Sequence, residues 1–131
     1  MSGAKTVLYA DDNALVQKYV RCVLEAEGMT VIVTGDGEEA VTLARERRPD
    51  AIILDLLMPQ VDGLSALVRL KGDDATRHIP VLLASGVPGS EGERLAAAYG
   101  AAGFLNKPFR PADLLESLYR MLEPLSTGQE A

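Results

Sequence analysis

The sequence contains no tryptophan, a single cysteine, a single histidine and few aromatic residues of any kind (5%). It also has no apolar run long enough to span a bilayer. Each shortage excludes some chemistry. Cys22 alone forms neither an intrachain disulfide nor a multi-cysteine zinc site, and it reads as a small hydrophobe in the core. A histidine metal site or a Ser-His-Asp triad would have to rest on His78, which precedes Ile79-Pro80 and reads as a surface loop residue. Thirteen basic residues against nineteen acidic ones leave a formal charge of -6. Repulsion from phosphates therefore argues against direct nucleic-acid binding. The segment Met1-Ser2-Gly3-Ala4-Lys5 lacks the apolar stretch of a secretory leader, so a cytoplasmic setting away from the membrane is expected.

What the chain does contain is 47% apolar residues in a length of 131, enough for one domain with one core. Three short apolar runs, Val7–Ala10, Ala51–Leu54 and Val81–Ala84, suit strands buried on both faces. The β-branched stretch Thr30–Thr34 predicts another strand, and Ala102–Asn106 a fifth. Between them the apolar spacing turns helical. The first such stretch has Val16, Tyr19, Val20, Val23 and Leu24 inward, with Asn13 as its cap and Gly28 as its stop. The second runs from Glu38 to Arg47, with Ala40, Val41 and Ala44 inward, and ends before Pro49. Gly63–Leu70 follows with Leu64, Leu67 and either Val68 or Leu70 inward, then a shorter Ala-rich helix over Glu91–Tyr99. The last helix opens at Pro111 and carries Leu114, Leu115, Leu118, Met121 and Leu122 in one stripe.

Five β-α units in succession predict an α/β fold with a doubly wound parallel sheet and helices on both faces. Right-handed crossovers bring the C-terminal ends of all the strands to one edge, where ligands of such folds bind. The domain is expected over residues 5–123, with 124–131 as a C-terminal tail or the start of a linker.

The polar residues that end the apolar runs all fall at that edge. They are Asp11 and Asp12 after the first strand, Asp55 after the third, Ser85 after the fourth and Lys107 after the fifth. Three converging carboxylates repel one another, and a divalent cation removes the conflict. A donor set of oxygens without histidine or cysteine favours magnesium, manganese or calcium. Lys107 and Ser85 are suited to binding two oxygens of a phosphoryl group carried on a carboxylate, which makes Asp55 a candidate nucleophile. Asp62 reads as a turn and helix-start residue beside Gly63, and Arg45-Glu46-Arg47-Arg48 as a solvated helix end.

Taken in order, these residues resemble the receiver domains of response regulators in two-component signalling. The resemblance covers residues 5 to 123. Asp11-Asp12 looks like the paired acids of that family. Asp55-Leu56-Leu57-Met58-Pro59-Gln60-Val61-Asp62-Gly63 matches its phosphoacceptor segment. Ser85 stands at the Thr/Ser position, Phe104 at the aromatic switch position, and Lys107-Pro108-Phe109 at the K-P-F segment.

The resemblance implies a flavodoxin-like (βα)5 fold of strand order 2-1-3-4-5, with Asp55 accepting a phosphoryl group from a phosphohistidine donor. That donor would be a histidine kinase or a histidine phosphotransfer protein. It also implies Mg2+ held by Asp12, Asp55 and the backbone carbonyl of Leu57, with Asp11 acting through water. Lys107 would contact the phosphoryl oxygen next to a cis bond to Pro108. Ser85 and Phe104 would form a switch, presenting to a downstream protein the face made by the last two helices and the fifth strand. Such a chain is a signalling switch without external turnover, a monomer or weak dimer. Leu57 and Val87, both apolar, would flank and restrict the path of a hydrolytic water, so a long-lived phosphorylated state is expected. Two other readings are an Asp-nucleophile phosphohydrolase and a receiver-like binding module that is never phosphorylated. Leu57, where such hydrolases carry a second acid, counts against the first; the complete set of acids, hydroxyl and lysine counts against the second.

Overall fold

The computed structural model describes residues 4–58, 60–86 and 90–122. Five strands and five helices alternate along the chain: β1 (Thr6–Ala10), α1 (Ala14–Ala26), β2 (Thr30–Thr34), α2 (Gly37–Arg47), β3 (Ala51–Asp55), α3 (Gly63–Lys71), β4 (Val81–Ser85), α4 (Glu91–Ala98), β5 (Gly103–Asn106) and α5 (Pro111–Leu122). The strands form one sheet in the order β2-β1-β3-β4-β5, and every neighbouring pair runs parallel. This is the expected doubly wound architecture, with its topological switch point between β1 and β3.

Strand alternation divides the core into two layers. Val7 and Tyr9 of β1, Ala51 and Ile53 of β3, and Leu82 and Ala84 of β4 face α1 and α5, where they pack with Val20, Leu24, Leu114 and Leu118. Leu8, Ala10, Ile52, Leu54, Val81 and Leu83 face the other way, against Ala40 and Ala44 of α2, Ala66, Leu67 and Leu70 of α3, and Ala96 of α4. Because both faces are covered, the three central strands read in sequence as unbroken apolar runs.

Helices α1, α2 and α3 begin where short polar side chains satisfy free N–H groups. Asn13 Oδ1 accepts from the N–H groups of Leu15 (2.9 Å) and Val16 (3.1 Å). Asp36 Oδ1 accepts from Glu39 (2.8 Å) and Asp62 Oδ1 from Ser65 (2.8 Å). With Asp36 as cap, α2 starts at Gly37, one residue before the position expected from sequence. α4 ends at Ala98 and β5 starts at Gly103, each one residue short of its expected span. In α3 it is Leu70 that turns inward, while Val68 is exposed. His78 is exposed, as expected.

Cys22 is a correction: it is exposed. The buried residues of α1 are Val20 and Leu24, and a residue two positions along a helix from Val20 lies on nearly the opposite face.

Leu24 is fully buried in the layer between the sheet and α1. Leu24→Ala is expected to lower unfolding stability by about 2–5 kcal/mol, read as a fall in the urea midpoint without a change in slope.

Candidate functional site

The site is built at the C-terminal edge of β1 and β3. The ladder of β1 continues one residue past the strand, where the Asp11 N–H donates to the Thr34 carbonyl (3.0 Å). Asp11 thus keeps the alternation that points Val7 and Tyr9 towards the α1/α5 layer, and its side chain has no exposure. Gln17 of α1 locks this corner, donating from Nε2 to the Asp11 carbonyl (2.6 Å). Asp12, the next residue, is exposed. Asp55, the last residue of β3, is 6% exposed. One carboxylate oxygen from each of Asp11, Asp12 and Asp55 can be chosen so that all three lie within 4.8 Å of one another.

Lys107 enters from beyond β5, next to a cis peptide bond to Pro108. Its Nζ lies 2.8 Å from Asp11 Oδ2 and 3.3 Å from Asp55 Oδ2. Two contacts hold its segment. The Lys107 N–H donates to the Ser85 carbonyl (2.9 Å), and the Tyr19 hydroxyl of α1 donates to the Phe109 carbonyl (2.9 Å). Ser85 is buried at the end of β4, in register with Asn106. The predicted acids and lysine therefore share one pocket, and the backbone of Ser85 borders it.

The loop after Asp55 explains its own glycine. A Cβ on Gly63 would collide with the Asp55 carbonyl, while the Gly63 N–H donates to the Leu56 carbonyl (3.0 Å). Only a residue without a side chain lets α3 start this close to the strand end. Leu57 is exposed on this loop. Pro59 and Val87 lie outside the described residues. Phe104 is half-buried against the α2/α3/α4 layer, and its ring edge rests where a Cβ on Gly92 of α4 would stand.

Electrostatics follow from the geometry. Burial raises the Asp55 pKa, the Asp11 charge raises it further, and Lys107 opposes both without cancelling them; the value is pushed up to about 6. Burial works against the Lys107 charge, but its hydrogen bond to Asp11 and the charges of Asp55 and Asp11 outweigh that, so its pKa lies above the ordinary lysine range. The cluster thus holds more negative charge than one ammonium neutralises. Oxygen donors alone, with no histidine or thiolate among them, fit a hard divalent cation such as magnesium.

One group escaped the reading from sequence. Tyr9, taken there as part of an apolar run, donates its hydroxyl to Asp11 Oδ2 (2.7 Å). Burial and the Asp11 contact push its pKa far above the ordinary tyrosine value, so it keeps its proton. The available signal was the two-residue spacing, which puts Tyr9 and Asp11 on one face of a strand.

A parallel sheet of this order, with acids at its switch point and a lysine facing them, defines a class, and comparison with known proteins identifies it. The model of the response regulator receiver domain matches residues 7–119. The polar-differentiation response regulator DivK of Brucella anthropi is 37% identical over 114 residues, covering 87% of this chain and 93% of that protein. Among solved structures, the chemotaxis protein CheY4 of Vibrio cholerae superimposes with a TM-score of 0.85 at 32% identity, covering 92% of this chain and 100% of that one. The receiver domain of sensor histidine kinase PA1611 from Pseudomonas aeruginosa, with a magnesium ion coordinated in its active site cleft, gives a TM-score of 0.85 at 28% identity, covering 92% and 98%. The chain belongs to the response regulator receiver domain family. Receiver domains are signalling switches, and the acidic cluster of this one fits a phospho-accepting site.

The raised Asp55 pKa sets a pH dependence. Between about pH 4 and about pH 6 the folded state holds a proton on Asp55 that the unfolded state has released. Stability from this group is therefore greatest at the acid end of that window and falls as pH rises through it. In metal-free buffer, Asp55→Asn is expected to raise the thermal midpoint at pH 7 by a few degrees and to flatten the pH 4–6 slope. Calorimetric melts across that range measure both.

Proposed function

We propose that this chain is a magnesium-dependent phosphoacceptor switch. Asp55 takes a phosphoryl group from the phosphohistidine of a histidine kinase or a histidine phosphotransfer protein. The observation that carries this reading is the Asp55 carboxylate itself, at the end of a buried strand, with Lys107 Nζ at 3.3 Å and two further carboxylates beside it.

In the transfer, a carboxylate oxygen of Asp55 attacks phosphorus. The P–N bond to the donor breaks, and its electron pair returns to the imidazole ring. Lys107 moves from its contacts with Asp11 and Asp55 to a phosphoryl oxygen, and the Ser85 hydroxyl donates to another. Asp12, Asp55 and the Leu57 carbonyl would hold a magnesium ion, with Asp11 acting through water, and that ion would supply neutralisation of charge on the transferring group. Asp55, Lys107 and Ser85 are thus the reacting and stabilising residues.

The phosphorylated site draws Ser85 inward, and Phe104 follows. The face formed by α4, β5 and α5 then favours a downstream protein, by biasing a two-state equilibrium already present. The chain phosphorylates itself from the donor, dephosphorylates slowly and turns over no external substrate. The receiver spans residues 5–123 and the tail 124–131; residues 123–131 lie outside the described structure. We assign it to the cytoplasm as a monomer or weak dimer. The unpaired, exposed Cys22 suits a reducing compartment. Among the described residues, no helix is long and apolar enough to cross a membrane.

Incubation with acetyl phosphate and Mg2+ is expected to add one phosphate to the intact mass. The gain should be lost in Asp55→Ala and in the presence of a chelator; an equal gain in Asp55→Ala would refute the assignment. Because Leu57 offers an incoming water no hydrogen bond, the phosphorylated form is expected to persist well beyond minutes. Leu57→Asn should shorten that lifetime several-fold and Leu57→Met should leave it unchanged, followed as loss of the phosphate mass after donor removal.

A further inference from the structure

Asp11 Oδ2 accepts two side-chain hydrogen bonds, one from the Tyr9 hydroxyl at 2.7 Å and one from Lys107 Nζ at 2.8 Å. Its Oδ1 accepts from the Asn13 N–H at 2.9 Å. The carboxylate has no exposed surface, so water cannot replace a lost donor without rearrangement. Lys107 is the only one of these three donors that also reaches Asp55, at 3.3 Å. It sits nearer Asp11 than Asp55, and Asp11 is where it must be released from to serve a group on Asp55.

We propose that Tyr9 is a positioning residue for phosphoryl transfer: its hydroxyl stays on Asp11 Oδ2 as a fixed donor, which lets Lys107 leave Asp11 for the phosphoryl group on Asp55. The proposal rests on the phosphoacceptor reading above. Its physical basis is the asymmetry of buried hydrogen bonds. Stripping the last donor from a buried acceptor costs far more than removing one of two, and more again when the acceptor is a carboxylate. The Tyr9 ring is fully buried among Val7, Ile53 and the α1/α5 side chains, so its hydroxyl cannot follow Lys107. An aliphatic residue at this position would leave Lys107 as the sole side-chain donor on Oδ2 and hold it there.

The test uses Tyr9→Phe, which keeps the ring and removes only the hydroxyl. Phosphorylation by acetyl phosphate is measured at saturating Mg2+ in the full chain. The expected result is a maximal rate about tenfold lower, from the added cost of releasing Lys107. In an Asp11→Asn background the same substitution should change the rate less than about twofold, since Tyr9 acts through Asp11. In the metal-free protein, the Lys107 ammonium protons should exchange with water more slowly in Tyr9→Phe than in wild type, by 15N-edited NMR. The core variant Leu24→Val controls for lost stability and should leave the maximal rate unchanged. A Tyr9→Phe rate equal to wild type, or an equal loss in both backgrounds, would overturn the proposal. Absence of phosphorylation in the wild type would instead overturn the phosphoacceptor reading, separating the two failures.

Discussion

One ammonium set among three carboxylates is the constraint around which the rest of this structure is arranged. Lys107 contacts Asp11 and Asp55, and Asp12 brings a third carboxylate into the same space. Burial of Asp55 and the uncompensated charge of its neighbours, Asp11 above all, together raise its pKa. Such a site is hydrogen-bonded yet carries an excess of negative charge. It gains from anything that supplies positive charge to the acids, and it resists collapse because Asp11 is fixed through both oxygens.

The fold delivers these groups by backbone pairing. The parallel registers of β1 with β3 and of β3 with β4 bring the strand ends level. The Leu56 N–H extends the pairing of β3 with β4 by donating to the Ala84 carbonyl (2.7 Å). Helix α1 contributes at both ends of the site. Gln17 fixes the backbone under Asp11, and Tyr19 fixes the segment that follows Lys107, with its ring 6.0 Å from that of Phe109. Apolar burial in two layers supplies the stability against which the repulsion at the edge is held.

Much of this was legible in the sequence, for identifiable reasons. β1, β3 and β4 are buried on both faces, so their apolar runs are unbroken and end abruptly at Asp11, Asp55 and Ser85. The helix starts at Asn13 and Asp62 follow capping chemistry that is local in sequence. The strand order was not legible from the pattern of elements: the same β-α alternation winds into several orders, and only the resemblance to a known family selected one. Cys22 was misjudged because residue type was weighed above its angular position on α1. The Tyr9 hydroxyl was missed because a hydropathy pattern counts a tyrosine by its ring, whereas here the ring packs in the core and the oxygen serves the polar edge.

Gly92 carries a further consequence. The Phe104 ring occupies the volume that a methyl group on Gly92 would fill, with ring carbons 2.7 Å from that position. The resting place of the aromatic is therefore a notch cut by one absent atom, on a helix otherwise rich in alanine. Position 92 and position 104 are sterically one locus: gain of bulk at the first displaces the ring at the second. A side chain at position 92 therefore requires the Phe104 ring to shift, which couples the rotamer of the aromatic to the residue on α4.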